Sequence, residues 1–361
     1  MSTRIEKLRS LLVDEAVDCL LVTGETDVRY LSGFTGDSSY LLVSADRCAI
    51  LTDRRYETQI EAECGGIESF VRGPERTMTQ LVAEAVDDFS AATIGLDAND
   101  VSWALLEGLR SALPQQTFAA TNGLVLKLRQ IKEPEEIETI RRAVRIAEQT
   151  FQAIRATLRR GQTELEIAHD VEKWIRYFGG EGCGFATIAA IGPNAALPHA
   201  QPGERRVGDD PALLLDWGAR YNGYTSDLTR MTAIGAPSPE MAEIYPVVLE
   251  AQLAAIAAIR PGAELKAVDA AARNVIRDAG FGDYFGHGLG HGIGLQVHES
   301  PRMSAITEGT LQAGMVVTVE PGIYLPGKLG VRIEDDVLVT ENGHEVLSSL
   351  PKGLDDCTVI L

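Results

Sequence analysis

The chain has 361 residues, enough for two or three domains at roughly 100–200 residues each. Hydrophobic residues make up 45% and charged residues 24%, an ordinary globular balance that buries a large core without disulfide or metal staples. Lysine plus arginine total 33 against 52 acids, a net charge of −19. That charge opposes nucleic-acid binding through phosphates and docking on an anionic membrane. The acids are spread along the chain rather than gathered in a tail, so they read as a solvated surface.

Cys19, Cys48, Cys64, Cys183 and Cys357 are scattered, odd in number and form no CxxC pair. They read as reduced thiols of a cytoplasmic protein. Met1–Leu12 shows no long apolar core or small-residue cleavage site, so no secretory signal is expected. The most apolar stretch, Ala251–Ile259, is too short to span a bilayer.

In chain order, Ile5, Leu8, Leu12 and Ala16 recur at helical spacing. Asp18–Thr23, Tyr40–Ser44, Cys48–Asp53 and Thr93–Asp97 read as short buried strands, and Arg55–Cys64 and Val101–Leu113 as helices. This alternation describes an α/β domain over residues 1–128. It holds no GxGxxG after a strand and no GxxxxGK[ST], so no nucleotide site is expected. A boundary falls near Arg129–Pro134, where Glu133-Pro134-Glu135-Glu136 starts a helix. The second domain covers residues 133–361. Its next helix begins at Thr163, with Glu166 completing a capping box, and stops at Gly179-Gly180. Ala212–Gly218 and Tyr224–Ile234 are strand-like and flank Asn222-Gly223, a hairpin turn signal. Helices follow near Pro239–Ile259, where Pro246 predicts a kink or break, and Glu264–Ala279. Met315–Glu320 and Val331–Thr340 then form a second strand pair. The second domain thus repeats helices plus a hairpin, in pattern and not in letters, an α+β arrangement.

If Asn222-Gly223 is a two-residue turn, Asp227 faces Gly218. Asp216 lies two residues further on, so both aspartates point to one side. Such diagonal neighbours stand roughly 7–8 Å apart at the backbone. Alone, each could cap a turn or pair with Arg220 or Arg230. Two facing carboxylates in apolar surroundings repel unless a cation or shared proton joins them. Glu320 and Glu334 supply a second pair, although either alone reads as a strand-end or edge acid. Three of the six histidines fall in His287-Gly-Leu-Gly-His291-Gly-Ile-Gly-Leu-Gln-Val-His298, whose glycines let the backbone approach a ligand or a neighbouring chain closely. No HExxH helix or GxSxG elbow is present. Four carboxylates and an imidazole make a hard site suited to Mn²⁺, Co²⁺, Fe²⁺ or Zn²⁺. Four acids exceed what one divalent ion balances and match two bridged ions.

The contexts Asp216-Trp-Gly-Ala, Ser-Asp227-Leu-Thr-Arg, His287 to His298-Glu, Val-Glu320-Pro-Gly-Ile-Tyr324 and Val-Arg332-Ile-Glu334-Asp resemble the metal-dependent Xaa-Pro peptidases, aminopeptidase P and prolidase. Val28–Phe34 and Leu51–Tyr56 are similar to that family's smaller creatinase-like N-terminal domain. The resemblance implies a C-terminal pita-bread fold, a pseudo-twofold αββ duplication, and a homodimer. It implies two divalent metal ions per chain, Mn first and Co or Zn next, held by Asp216, Asp227, His291, Glu320 and Glu334. Asp216 would be bidentate, Asp227 and Glu334 bridging. Glu320 would also shuttle a proton for the metal-bridging hydroxide, and His287 and His298 would bind the substrate carbonyl. His199, Tyr324 and Arg332 would line the substrate site, where an arginine suits a terminal carboxylate. The expected partners are peptides with proline in second position. A creatinase-like metal-free hydrolase and an inactive peptidase-like binding module are the rival readings; both ordinarily lack ligands that this chain keeps.

Overall fold

A computed structural model describes residues 3–361; Met1 and Ser2, the start of the Met1–Leu12 stretch, lie outside the described residues. The apolar runs of the first third form strands at Cys19–Val22, Tyr40–Ser44, Cys48–Asp53 and Thr93–Asp97. Cys19–Val22 and Cys48–Asp53 are buried throughout, as strands covered on both faces should be. Glu68–Arg72 and Thr117–Thr121 add the two edges of a six-stranded mixed sheet. Both edge strands are only partly covered and mix polar with apolar residues, so no long apolar run marks them in the sequence. The helices Glu25–Ser32, Met78–Asp88 and Leu124–Arg129 join those expected near Thr3–Leu12, Glu57–Glu63 and Trp103–Ala112.

The chain divides into two units, Met1–Arg129 and Gln130–Leu361. In the second, Pro134 occupies the first turn of helix Pro134–Thr157, with Glu133 and Glu136 forming a capping box. Thr163 and Glu166 do the same for Glu164–Tyr177. The apolar faces of these two helices bury Ala147, Phe151, Ile167 and Val171 against Leu213, Leu215 and Trp217 of the first hairpin. Trp217 stacks on Phe151 at 4.9 Å, and its Nε1 donates to the Ala147 carbonyl at 2.9 Å. Each large apolar side chain so buried contributes about 1.5–3 kcal/mol. Helix Pro239–Ala258 runs unbroken through Pro246. The proline removes one N–H bond and crowds the Ala242 carbonyl, and burial of Ile244, Tyr245, Val248 and Ala255 around it offsets that loss. This 20-residue helix is long and apolar enough to cross a membrane by length and composition, yet it supplies the core beneath the second hairpin.

Asn222 (φ +47°) and Gly223 (φ +81°) form the tight turn, a left-handed pair that asparagine and glycine tolerate best. The register follows from it: Tyr221 pairs with Tyr224, Leu228 with Trp217 and Thr229 with Asp216. The ladder breaks at Gly218 and Ser226–Asp227, where a Cβ on Gly218 would stand 1.8 Å from the Ser226 carbonyl oxygen. The second hairpin behaves alike. Val316–Val319 pairs with Asp335–Thr340, Gly322–Leu325 pairs with Leu329–Arg332, and pairing lapses at Glu320 and Glu334 between them.

Candidate metal centre

Asp227, Glu320 and Glu334 stand where the two hairpins lose their ladders, and Asp216 lies on the adjoining strand, paired with Thr229. An isolated bridge joins the hairpins there: the Glu334 N–H donates to the Thr229 carbonyl at 3.2 Å. Asp227, His291 and Glu334 each offer a ligand atom, all within 4.8 Å of one another. His291 Nε2 lies 3.3 Å from Glu320 Oε1 and 3.9 Å from Asp227 Oδ2. Thr229 Oγ1 donates to Glu334 Oε2 at 2.6 Å and accepts from Arg332 Nε at 3.0 Å. Arg332 Nη2 donates to Asp216 Oδ2 at 2.5 Å. His291 sits on the strand Gly290–Gly292, pressed between Glu299–Met303 and Val316–Val319. A Cβ on Gly290 would come within 2.1 Å of the Thr318 carbonyl oxygen, so the glycines here admit neighbouring strands.

Charge is unbalanced in this pocket. Burial pushes Asp227 well above the usual carboxylate range, and Glu334, Asp216 and Glu320 push it further. Glu334 is likewise raised, by burial and then by Glu320 and Asp216. Asp216 is raised by burial, with Arg332 opposing. Glu320 falls to about 2: burial would raise it, but the hydrogen bond and charge of His291 outweigh burial. His291 is raised in turn, Glu320 overcoming its burial. Asp216 Oδ1 and Asp227 Oδ1 are buried and accept no hydrogen bond. Ionised carboxylate oxygens only accept, so a cation satisfies both atoms where the metal-free pair would need to take up a proton. His291 Nδ1 faces the Gly292 carbonyl at 3.1 Å; a carbonyl only accepts, so Nδ1 carries the proton and Nε2 turns toward the acids, as in a metal-ligating imidazole.

The substrate-side residues divide into a buried group and an exposed one. His287 Nδ1 lies 2.8 Å from the Gly288 carbonyl, so Nε2 accepts from the Tyr324 hydroxyl at 2.9 Å. Arg332 Nη1 donates to that hydroxyl at 2.8 Å and to the Pro198 carbonyl at 3.3 Å. Arg332 is buried, and the donors expected to meet a substrate carboxylate are engaged with Asp216, Thr229, Tyr324 and Pro198. Burial holds Tyr324 protonated, at about 12. His298 is exposed and stands edge-on to His291, ring centroids 4.4 Å apart. His199 is exposed on the segment after Gly192–Ala196, near enough for its charge to bear on His287 and His298.

Two contributors escape a reading of the sequence. Asp336 is fully buried, accepts from the Asp227 N–H at 3.0 Å and is raised to about 8 by burial. Strand alternation from Glu334 was the signal for it. Thr229 is the other; a buried threonine two residues past Asp227 carries no signal of its own.

Residues 138–341 match the model of metallopeptidase family M24, and residues 4–131 match that of the creatinase/prolidase N-terminal domain. An Xaa-Pro dipeptidase of Pyrococcus furiosus is 36% identical over 355 residues, covering 98% of this chain and 100% of that one. The solved Xaa-Pro dipeptidase from Bacillus anthracis superposes with TM-score 0.94 at 38% identity, covering 99% of each chain. The X-Pro aminopeptidase from Thermotoga maritima superposes with TM-score 0.88 at 36% identity, covering 98% of this chain and 99% of that one. This chain belongs to metallopeptidase family M24: a pita-bread metallopeptidase preceded by a creatinase-like domain.

Proposed function

We propose that this chain is a dinuclear Xaa-Pro peptidase that hydrolyses the bond between an N-terminal residue and proline. The observation that carries the reading is the convergence of Asp227, His291 and Glu334 within 4.8 Å, beside buried Asp216 and Asp227 oxygens with no donor. Asp216, Asp227, His291, Glu320 and Glu334 would hold two divalent ions, manganese first, in a cytoplasmic homodimer. When bound, such ions polarise the scissile carbonyl and lower the pKa of water.

The chain's own groups do the rest. Glu320, beside His291, would accept and return the proton at its carboxylate. His287 and His298 would bind the substrate carbonyl and the tetrahedral intermediate, His287 as a donor once its Nε2, which here accepts from Tyr324, takes up a proton. Arg332 fixes Asp216 and Tyr324 at the substrate wall, with His199 at its exposed rim. An Xaa-Pro bond has no amide N–H, so a site that grips the carbonyl and a free terminus can cleave where other peptidases lose a contact. The relatives bear both dipeptidase and aminopeptidase names. Cleavage rates of Xaa-Pro dipeptides and longer Xaa-Pro peptides, with Mn²⁺ or Co²⁺ added, test the reading and settle the length preference. Hydrolysis that Asp227→Asn abolishes is expected; no hydrolysis with any metal, or activity indifferent to that change, refutes it.

A further inference from the structure

His287 lies on a segment that should be loose. Gly286 and Gly288 flank it, and glycine has the most backbone freedom to lose. Yet the segment is gripped from one helix, Leu265–Asp278. Asp269 and Arg273, one turn apart on it, form a bidentate pair: Arg273 Nε donates to Asp269 Oδ2 and Nη2 to Oδ1, each at 2.8 Å. The same guanidinium reaches outward. Its Nη1 donates to the Phe285 carbonyl at 3.0 Å and its Nη2 to the His287 carbonyl at 2.8 Å. Asp269 Oδ1 accepts the Leu289 N–H at 3.1 Å. The guanidinium lies over the Phe285 ring, 4.3 Å from its centroid, and that ring meets His287 edge-on at 5.0 Å. Asp269 is fully buried and Arg273 partly so.

We infer that Asp269 and Arg273 are positioning residues that fix the imidazole of His287 against the Tyr324 hydroxyl. Three backbone groups in five residues are tied to one rigid helical turn, two of them carbonyls that accept from one planar fork. A lysine has no such fork and cannot replace it. Neither side chain touches Asp216, Asp227, His291, Glu320 or Glu334; the nearest link is the Leu289 carbonyl, which accepts the Glu320 N–H at 2.9 Å, so the device acts first on His287. The inference rests on the role proposed for His287.

A double-mutant cycle tests it on full-length manganese-loaded protein with an Xaa-Pro peptide. Arg273→Gln is expected to lower kcat by about 10²-fold, the effect of a displaced catalytic group. His287→Ala is expected to lower it as well, and adding Arg273→Gln to His287→Ala should change nothing more. Mn²⁺ affinity by calorimetry should match the parent. Losses that multiply in the double variant, or weakened Mn²⁺ binding, would show a general structural role and overturn the inference. If Arg273→Gln fails to fold, Arg273→Lys keeps the charge beside Asp269; it should still lose kcat, and full activity refutes the clamp. Hydrogen exchange separates this inference from the proposed function. The Leu289 amide should exchange faster in Arg273→Gln whether or not the protein cleaves Xaa-Pro peptides, and unchanged exchange sinks the clamp on its own. If His287→Ala is impaired while Arg273→Gln is not, only the clamp falls. If His287→Ala keeps full kcat, the role given to His287 falls and the clamp falls with it.

Discussion

The two hairpins of the second unit share a plan and differ in how their acids are kept. In the first, Asp216 and Asp227 are offset by one strand period, and Asp216 leans on Arg332, which belongs to the second. In the second, Glu320 and Glu334 lie across from each other at the lapse in pairing, and Glu334 leans on Thr229, which belongs to the first. Arg230 strengthens the exchange. From the first hairpin it donates to the Glu334 carbonyl at 2.6 Å and pairs with Asp335 at 2.6 Å. Each hairpin therefore supplies the support that the other's acids need, and neither is a site by itself. The acids also part electrically: Glu320 is held low by His291, whereas Asp227 and Glu334 are driven high by burial and then by neighbouring carboxylates.

If the halves are interdependent, losing one bridging acid from either should be equally damaging. Asp227→Asn and Glu334→Gln should each reduce Xaa-Pro hydrolysis to background in a steady-state assay; a hairpin that tolerates the loss would break the symmetry. Next in size is Arg230→Met. It strips a buried guanidinium from fully buried Asp335, and a broken buried pair costs about 3–5 kcal/mol. Lys352, 2.6 Å from Asp335, should hold the loss to the lower end in urea unfolding. Thr229→Val is smaller. It leaves Glu334 Oε2 and Arg332 Nε each without a partner, about 1–3 kcal/mol, and should weaken Mn²⁺ binding about 10–100-fold in a calorimetric titration. Arg141→Gln, which removes a partly exposed pair with Glu345 outside the exchange, should lower unfolding stability by less than about 1 kcal/mol and leave activity alone.

What is legible in the sequence is what local chemistry sets. Asn222-Gly223 sets a register that puts both aspartates on one side, and turn chemistry is local. The capping boxes at Glu133 and Thr163 are equally local, and both helices start there. The edge strands Glu68–Arg72 and Thr117–Thr121 lack a long apolar run because they are only partly covered, so only tertiary pairing reveals them. Pro246 does not break its helix because the turns around it are buried, which the local sequence does not display. Thr229 and the Asp269–Arg273 pair act across 12 to more than 100 residues, through contacts that spacing cannot announce.

The central claim is that four carboxylates and one imidazole make a single cage for paired cations. Manganese retained per chain, measured by elemental analysis after metal loading and exhaustive dialysis, tests it most directly. The account predicts about two ions per wild-type chain, and fewer in Asp227→Asn and in Glu334→Gln alike. A wild-type chain that retains none, or variants that retain as much as wild type, would contradict it.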